Sequence, residues 1–294
     1  MTRFQTIALM GRLGSPEVLE TLLHLYQFLR EQGCRVLVAS EVAEQLPIEV
    51  EVRRDEAAIG RESDLVVVVG GDGSMLGAAR SLAEHDVPVL GVNRGRLGFL
   101  TDISPQLLEQ EMGAVLSGEY FLEPRFLLDV TVSRNGEVIG EGQALNDVVL
   151  NSGVSARMIE FELYIDDQFV YTQQSDGLIL STPTGSTAYS LSGGGPIMHP
   201  NLDAMVLVPM FPHTLSSRPL VIDGNSRVRI QVNELNELHP NISCDGQLNL
   251  SASPGDVVQV HKKPERLNLL HPLNHNFYAI CRAKLGWGSH PREK

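Results

Sequence analysis

The chain has 294 residues, of which 43% are hydrophobic and 20% charged, and its formal net charge at pH 7 is −13. This length suits about two domains, each with its own core, and excludes a single small disulfide-stapled module. The acidic surface is unfavourable for binding nucleic acid or anionic membrane. No apolar stretch reaches the roughly 18 to 20 residues of a membrane-spanning helix, which excludes a protein anchored by such helices.

The cysteines and the first residues of the chain indicate the cellular compartment of the protein. The three cysteines are widely scattered, a pattern that favours reduced thiols over a disulfide framework or a zinc site. The segment after Met1 leads within a few residues into an apolar run that predicts a strand, which leaves no room for a cleavable secretory leader. We therefore expect a cytoplasmic protein.

The first hundred residues alternate short apolar runs with stretches of helical periodicity, which is typical of a parallel sheet covered by helices. The periodic stretches predict helices that begin at Pro16 after a capping Ser15, at Ser74, and at Ser104–Pro105. The run from Leu65 to Val69 is apolar at every position, as in a central strand buried on both faces. In all, the apolar runs predict strands over 6–10, 35–39, 65–69 and 87–92.

The pattern changes near residue 120, where short alternating runs separated by turn signals replace the helical stretches. Asn135–Gly136 is a strong hairpin signal and Asp166–Asp167 a weaker one. Further strands are predicted over 158–165, 168–172, 177–182, 219–222, 226–232 and 257–261. The sequence thus predicts an α/β domain over 1–120 and a β-rich domain over 121–276, with the tail, about 277–294, packing back on the first domain.

A glycine-rich segment, Gly70–Gly71–Asp72–Gly73–Ser74, lies between the central predicted strand and a predicted helix. Open α/β sheets bind ligands at this position, and glycines let backbone amides approach a phosphate. A carboxylate in such a loop repels phosphate unless it holds a metal or accepts a proton from an attacking hydroxyl, so Asp72 is a candidate general base. The alternative is an Asp72 that only caps the helix. Leu76 replaces the third glycine of the dinucleotide fingerprint, and the lysines all lie at or after Lys262, which excludes a Walker-type phosphate lysine.

A second polar segment extends from Ser175–Asp176–Gly177 to Gly193–Gly194–Gly195–Pro196. Hydroxyl side chains crowd its middle part, from Ser181 to Ser190, which is poor material for a core. Such a segment suits a polar pocket that binds a sugar and a base, and a solvated loop is the alternative. No Gly-x-Ser-x-Gly elbow surrounds these serines, so a serine hydrolase is not favoured.

Three shorter features each keep two interpretations. Asn146–Asp147 could accept hydrogen bonds from ribose hydroxyls or form a turn, and Cys244–Asp245–Gly246–Gln247 has the same ambiguity. Arg94 and Arg96 could contact phosphates or lie in solvent. The histidines show no metal-ligand spacing and are expected to be structural.

In this order the motifs closely resemble those of the bacterial NAD kinase family. The glycine-aspartate loop alone also occurs in phosphofructokinases and in diacylglycerol and sphingosine kinases, whereas the run from Thr182 to Pro196 is specific. The resemblance implies a Rossmann-like N-terminal α/β domain and a C-terminal β-sandwich-like domain. The matching segments are Gly70–Gly73, Gly91–Leu100, Asn146–Asp147, Ser175–Pro196 and Cys244–Gln247.

The resemblance also implies an activity. This is the transfer of the terminal phosphate of ATP, with a divalent cation such as Mg²⁺, to the 2′-hydroxyl of the adenosine ribose of NAD, which gives NADP. Asp72 is then the proton acceptor, beside Gly73 in the phosphate loop, while the metal ligands stay unassigned. Some dinucleotide contacts are expected from a neighbouring subunit of a homodimer or homotetramer. The residues implied in binding are Asn146, Asp147, Arg157, Gln174, Asp176, Thr187, Ala188, Tyr189, Ser190, Leu191, Ser192 and Gln247.

One position departs from the family pattern, because many relatives have arginine where this chain has Gln174. The neutral side chain removes a positive charge close to the bound dinucleotide. We therefore expect weaker discrimination between NAD and NADH, and some phosphorylation of NADH.

Two other functions compete with this interpretation. A lipid or sugar kinase can carry the same glycine-aspartate loop, but it does not predict the hydroxyl-rich run, and a lipid kinase should also show an apolar or basic membrane face. A non-catalytic dinucleotide sensor would keep the adenosine pocket and would not need Asp72. The presence of Asp72 therefore favours an enzyme.

Overall fold

The computed structural model describes residues 3–11, 16–53, 55–94, 98–153 and 157–287. The chain forms two compact units, unit 1 made of Met1–Pro124 and Leu267–Lys294 and unit 2 made of Arg125–Arg266. The helix cap predicted at Ser15 and the phosphate contact predicted at Arg96 lie outside the described residues. Across the described ranges, no helix combines the length and the apolar character that crossing a membrane requires.

Helices and strands alternate in the first part of the chain, and strands dominate the second. The strands are β1 (Thr6–Gly11), β2 (Arg35–Ala39), β3 (Glu51–Arg53), β4 (Leu65–Gly70), β5 (Val89–Asn93), β6 (Tyr120–Arg134), β7 (Glu137–Ala144), β8 (Asp147–Asn151), β9 (Ile159–Ile165), β10 (Gln168–Ser175), β11 (Gly177–Ser181), β12 (Ala204–Met210), β13 (Leu220–Asp223), β14 (Val228–Val232), β15 (Asn241–Cys244), β16 (Leu248–Ser251) and β17 (Val257–Pro272). The α-helices are α1 (Pro16–Glu31), α2 (Ser40–Ala43), α3 (Glu56–Glu62), α4 (Asp72–Leu82), α5 (Leu108–Ser117), α6 (Tyr189–Ser192) and α7 (Phe277–Leu285). Short 3₁₀ turns occupy Ala83–His85, Pro105–Leu107 and Gly185–Thr187.

Unit 1 is built on a parallel sheet with the strand order β5–β4–β1–β2–β3. The end of β17 adds a further parallel strand, since Leu269 pairs with Val89 of β5. β4 is buried at every position, as its apolar sequence predicts for a central strand. Leu22, Leu25 and Leu29 of α1 are fully buried in the same core, each contributing about 2 kcal/mol of hydrophobic free energy. The carboxyl end of β4 therefore projects from a well-packed frame.

Unit 2 consists of two antiparallel sheets. One has the order β10–β9–β14–β17, with β6 paired to β17 and to β7, and the other has the order β13–β12–β11–β8–β15–β16. Apolar side chains from both sheets, among them Phe161, Leu180 and Ile242, form one buried cluster. This arrangement is that of a β-sandwich. The predicted fold class, an α/β part followed by a β-rich part, is confirmed.

Both predicted hairpins are present. Asn135–Gly136 joins β6 to β7 and Asp166–Asp167 joins β9 to β10, and all four residues have positive φ, as tight hairpin turns require. The strand predicted over 257–261 continues as β17 to Pro272, and the predicted strands do not include β12. The residues of β12 from Ala204 to Val208 are all apolar, as in other buried strands, and Pro209 lies next to the end of the strand, opposite Leu178 of β11.

Candidate active site

The turn between β4 and α4 carries the first predicted site residue. β4 ends at Gly70, Gly71 is the N-cap of α4, and Asp72 is the first residue of the helix, so Asp72 is not the helix cap. Its carboxylate binds a second loop. Oδ2 accepts a hydrogen bond from the amide of Phe99 at 2.9 Å, and Oδ1 accepts one from the amide of Leu100 at 3.0 Å. These two bonds hold the carboxylate in one orientation while 30% of the side chain stays exposed.

The close approach of this second loop depends on Gly98. A methyl group added at Gly98 would overlap Oδ1 of Asp72 and would lie 2.5 Å from Oγ1 of Thr101. Any larger residue at this position would therefore displace the carboxylate. Position 98 therefore requires glycine, because there is no space for a side chain between the loop and Asp72.

Helix α7 brings a lysine to the same place. Nζ of Lys284 lies 3.7 Å from Oδ2 of Asp72 and 4.8 Å from the centroid of the Phe99 ring. The ring of Phe277, at the start of α7, lies 6.5 Å from the Phe99 ring. The sequence excludes a lysine that follows the glycine loop, but the fold supplies one from the end of the chain. No local motif could have found it.

Arg94, one of the two arginines considered for phosphate contact, binds α1 in this structure. Its Nε donates a hydrogen bond to the carbonyl oxygen of Glu17 at 2.9 Å, and its guanidinium lies 3.7 Å from the carboxylate of Glu20. Both partners belong to α1. Arg94 therefore ties the end of β5 to that helix.

Asp102 anchors the turn that precedes α7. Nδ1 of His271 and Nδ1 of His275 each lie 2.6 Å from one of the two carboxylate oxygens of Asp102. Burial by itself would raise the pKa of Asp102, but the hydrogen bonds from the two histidines outweigh it and lower the pKa to about 2. The three residues offer donor atoms within 4.8 Å of one another, a set that can hold a metal ion. Sequence analysis missed this cluster because its carboxylate lies far from the histidines in the chain.

Unit 2 contains a pocket of about 280 Å³ beside the start of β8. It is close in size to the smaller pockets that bind small molecules. The pocket brings together four residues that the sequence predicts for dinucleotide binding, Asn146, Asp147, Ala188 and Tyr189. The other lining residues are Val149, Asn151, Ser243, Asp245 and Gly246.

Asp245 holds one wall of this pocket. Its carboxylate accepts hydrogen bonds from the amides of Leu145, Asn146 and Asp147 at 3.0, 2.7 and 3.3 Å. Asp245 and Gly246 have φ of 53° and 65°, the left-handed conformation of a tight hairpin turn between β15 and β16. This segment is therefore a turn, and its carboxylate fixes the backbone that leads into β8.

Asp147 has an unusual environment for a carboxyl group, since the residue is only 4% exposed. Burial, followed by repulsion from the carboxylate of Asp245, raises the pKa of Asp147 from 3.8 to about 7. A carboxyl group that is partly protonated near neutral pH can donate a hydrogen bond as well as accept one. A pKa shifted by burial and by a specific neighbour, in a pocket, is typical of a functional site.

Much of the hydroxyl-rich run is buried and is not a solvated loop. Ser181, Thr182 and Ser186 are fully buried. Oγ1 of Thr182 donates to the carbonyl oxygen of Leu145 at 2.6 Å, and Oγ of Ser181 donates to that of Asn146 at 3.1 Å. These hydroxyls therefore build the scaffold of the pocket by binding the backbone before β8, and the exposed side chain of Tyr189 faces the pocket.

The rest of the predicted adenosine wall continues from the lining residues along the chain. Thr187 directly precedes Ala188, and its hydroxyl donates to the carbonyl oxygen of Thr184 at 3.2 Å. Ser190 is buried, Leu191 is partly buried and Ser192 is exposed, all three in α6. None of these side chains except that of Ala188 lines the described pocket.

The other predicted contacts lie apart from the pocket lining. Arg157 and Gln174 are exposed, and Asp176 is partly buried between β10 and β11. Nε2 of Gln174 donates to Oε2 of Glu160 on the paired strand β9 at 3.1 Å. Gln247 is exposed and follows the lining residue Gly246.

Sequence comparison relates the two parts of this chain to a known protein family. The model of the ATP-NAD kinase N-terminal domain matches residues 7–120, and that of the ATP-NAD kinase C-terminal domain matches residues 145–271. The chain belongs to the NAD kinase family. The NAD kinases of Pseudomonas putida (strain W619) and Hahella chejuensis (strain KCTC 2396) are 57% and 58% identical to it over 289 residues, which is 98% of this chain and of each relative. Phosphorylation of NAD with ATP as the donor is therefore the activity of this chain, and the family resemblance drawn from its motifs is confirmed.

Solved structures of the family agree with the fold. The yeast NADH kinase complexed with NADH superposes with a TM-score of 0.88 at 26% identity, covering 99% of this chain and 90% of that one. The NAD kinase from Archaeoglobus fulgidus in complex with ATP superposes with a TM-score of 0.69 at 23% identity, covering 95% and 99%. The second likeness supports the fold alone.

Proposed function

We propose that Asp72 accepts the proton of the 2′-hydroxyl of the adenosine ribose of NAD while that oxygen attacks the terminal phosphorus of ATP. The observation that carries this role is the orientation of the carboxylate, which the amides of Phe99 and Leu100 fix at the carboxyl end of β4. That end of a parallel strand is where α/β sheets bind ligands. A partly exposed carboxylate that the backbone holds in place is free to receive a proton.

The reaction then follows an in-line displacement. A new bond forms between the ribose 2′-oxygen and the terminal phosphorus as the bond from that phosphorus to the β-phosphate oxygen breaks, so the products are NADP and ADP. The ribose proton passes to Oδ of Asp72. Most of the rate comes from positioning and from compensating the charge of the transferring group.

Unit 2 is proposed to bind the dinucleotide. Asn146 and Asp147 line a pocket of about 280 Å³ with Tyr189, and the partly protonated Asp147 can both donate hydrogen bonds to ribose hydroxyls and accept them. We assign Thr187 to Ser192 to the wall around adenine and ribose. Arg157, Gln174, Asp176 and Gln247 are assigned to further contacts, some of them made across subunits of a homodimer or homotetramer.

The divalent cation is proposed to be Mg²⁺ and to arrive as the complex with ATP. An ATP-dependent kinase needs such a cation to bridge the phosphates and neutralise their charge. The two compact units are proposed to act as the two functional domains, unit 1 for the phosphates and unit 2 for the dinucleotide, in a cytoplasmic enzyme.

Some phosphorylation of NADH is proposed as a side activity. Gln174 has a neutral side chain, which is exposed and donates a hydrogen bond to Glu160. A solved relative at 26% identity is a yeast NADH kinase complexed with NADH. The departure from the family's usual arginine at position 174, together with this relative, supports the proposed side activity.

The test of the proposed reaction uses purified protein with ATP and Mg²⁺ and offers NAD and NADH in separate reactions. A dehydrogenase specific for the 2′-phosphorylated cofactor then measures NADP or NADPH. We expect NADP as the main product and NADPH at a lower rate. Product from neither substrate would refute the proposal, and a phosphorylated product that the dehydrogenase rejects would refute the 2′ position.

A further inference from the structure

We infer that Lys284 is a catalytic residue that binds the triphosphate of ATP at the Asp72 loop. This inference rests on the proposed function of Asp72 and goes beyond it. It starts from the position of the Lys284 ammonium, 3.7 Å from Oδ2 of Asp72. The glycine-aspartate loop has no lysine of its own, so a cation supplied by the fold fills the role of the missing phosphate lysine.

The first argument is that Asp72 does not need Lys284 to hold its position. Both carboxylate oxygens already accept hydrogen bonds from backbone amides, those of Phe99 and Leu100. A separation of 3.7 Å is an ion pair and not a short hydrogen bond, and both side chains remain about 30% exposed, at 29% and 30%. Such a pair contributes at most about 1 kcal/mol to stability. The ammonium thus has N–H donors to offer to a ligand.

The second argument is that the position of Lys284 is built into the fold. Its Nζ lies 4.8 Å from the centroid of the Phe99 ring, a cation–π distance, and Phe277 packs near the same ring. At the start of α7, the side chain of Asn276 accepts a hydrogen bond from the amide of Ala279. The helix is therefore fixed at its beginning and along the face that meets the 98–100 loop.

The Asp102 cluster adds a second anchor. Asp102 follows the loop that holds Asp72, and its two carboxylate oxygens pair with His271 and His275 just before α7 begins. The loop that orients the proton acceptor and the helix that carries Lys284 are thus joined by a buried, charge-assisted contact. Lys284 and Asp72 belong to one well-ordered group.

The third argument concerns charge. A triphosphate that approaches the loop meets the negative charge of Asp72, and an ammonium beside it cancels this charge and attracts the phosphate oxygens. Arg94 is turned away to α1 by its bonds to Glu17 and Glu20. In the reaction Lys284 stays protonated and forms no covalent bond. It binds the terminal phosphate oxygens and stabilises the charge that spreads over them as the phosphoryl group moves to the ribose.

The test compares Lys284→Ala, Lys284→Gln and Lys284→Arg with a matched control, Arg282→Ala. Arg282 is an exposed cation on the same helix, two positions away, so its removal changes net charge equally. We measure steady-state kinetics for ATP and for NAD, thermal unfolding, and calorimetric binding of Mg²⁺ with a non-hydrolysable imido analogue of ATP.

We expect Lys284→Ala and Lys284→Gln to lower kcat/KM for ATP by about 10- to 100-fold, the scale of a hydrogen bond to a charged group. The affinity for the ATP analogue should fall with it, while KM for NAD and the melting temperature stay near those of the unmodified protein. Lys284→Arg should recover most of the loss, since it keeps a cation that binds phosphate. Arg282→Ala should behave as the unmodified protein.

Three results would overturn the role of Lys284. These are a value of kcat/KM for ATP in Lys284→Gln within about twofold of the unmodified protein, unchanged binding of the ATP analogue, or an equal loss in Arg282→Ala. If the unmodified protein itself formed no NADP, the proposed function would fail instead. Binding of the analogue would still decide whether Lys284 contacts the triphosphate.

Discussion

The buried carboxyl of Asp147 gives a direct link between the pocket in unit 2 and the pH dependence of stability. Its pKa is raised from 3.8 to about 7 in the folded protein by burial and by the Asp245 carboxylate. Between these two values the folded state binds the proton and the unfolded state does not, so stability falls as pH rises. The stability that the protonated Asp147 carboxyl group contributes is fully present below about pH 4 and is lost as the pH rises from about 4 to about 7.

The magnitude follows from the size of the shift. A pKa displaced by about three units corresponds to about 4 kcal/mol at 1.36 kcal/mol per unit. The change Asp147→Asn keeps the size of the side chain and removes its titration. The free energy of unfolding of the variant, minus that of the unmodified protein, should therefore increase by about 4 kcal/mol as the pH rises from 4 to 8.

Urea unfolding of both proteins at several pH values between 4 and 8 measures this difference. Asp167→Asn is the control, because it makes the same chemical change at an exposed aspartate in the β9–β10 turn. A stability difference between the Asp147→Asn variant and the unmodified protein that stays constant over this pH range would refute the account of a buried, repelled carboxyl group.

Three further substitutions test the geometry of the two sites. Gly98→Ala should lower kcat at least about tenfold by displacing the Asp72 carboxylate, whereas Gly113→Ala, whose added methyl meets nothing within 4 Å, should leave kcat unchanged in the same assay. Gly185→Ala overlaps the backbone of the residue before β8, so thermal unfolding should show a loss of about 1–3 kcal/mol, and an unchanged melting temperature would contradict this packing. Gln174→Arg should raise the ratio of kcat/KM for NAD to that for NADH; a ratio that already favours NAD strongly and does not change would count against the role of this position.

The parts of the fold that the sequence predicts are those with local signals. The apolar run of β4, the glycines that follow it and the hairpin at Asn135–Gly136 each carry their information in adjacent residues. The location of Asp72 at a strand end therefore follows from the order of residues along the chain. Its partners do not, because Phe99 and Leu100 approach it only through the packing of a second loop.

The candidate sites show the same limit. Composition marks the run from Ser181 to Ser190 as polar and unusual, but its hydroxyls bind backbone carbonyls brought close by sheet pairing, a role that composition does not reveal. Lys284 and the cluster around Asp102 escape sequence analysis for a related reason. Their partners are far apart in sequence and meet only in the fold, Lys284 through α7 and the two histidines through the end of β17 and the turn after it.

The most direct measurement of the central claim is the rate of NADP formation in a single turnover, with ATP and NAD already bound, in the unmodified protein and in Asp72→Asn. Asp64→Asn is the matched control, since Asp64 also accepts two backbone amides, those of Gln5 and Thr6 at 2.8 Å, but lies away from the glycine loop. We expect Asp72→Asn to bind both substrates and to form NADP at least about 100-fold more slowly, on the scale of general-base catalysis, while Asp64→Asn keeps the full rate. A folded Asp72→Asn variant that forms NADP as fast as the unmodified protein would show that Asp72 is not the proton acceptor.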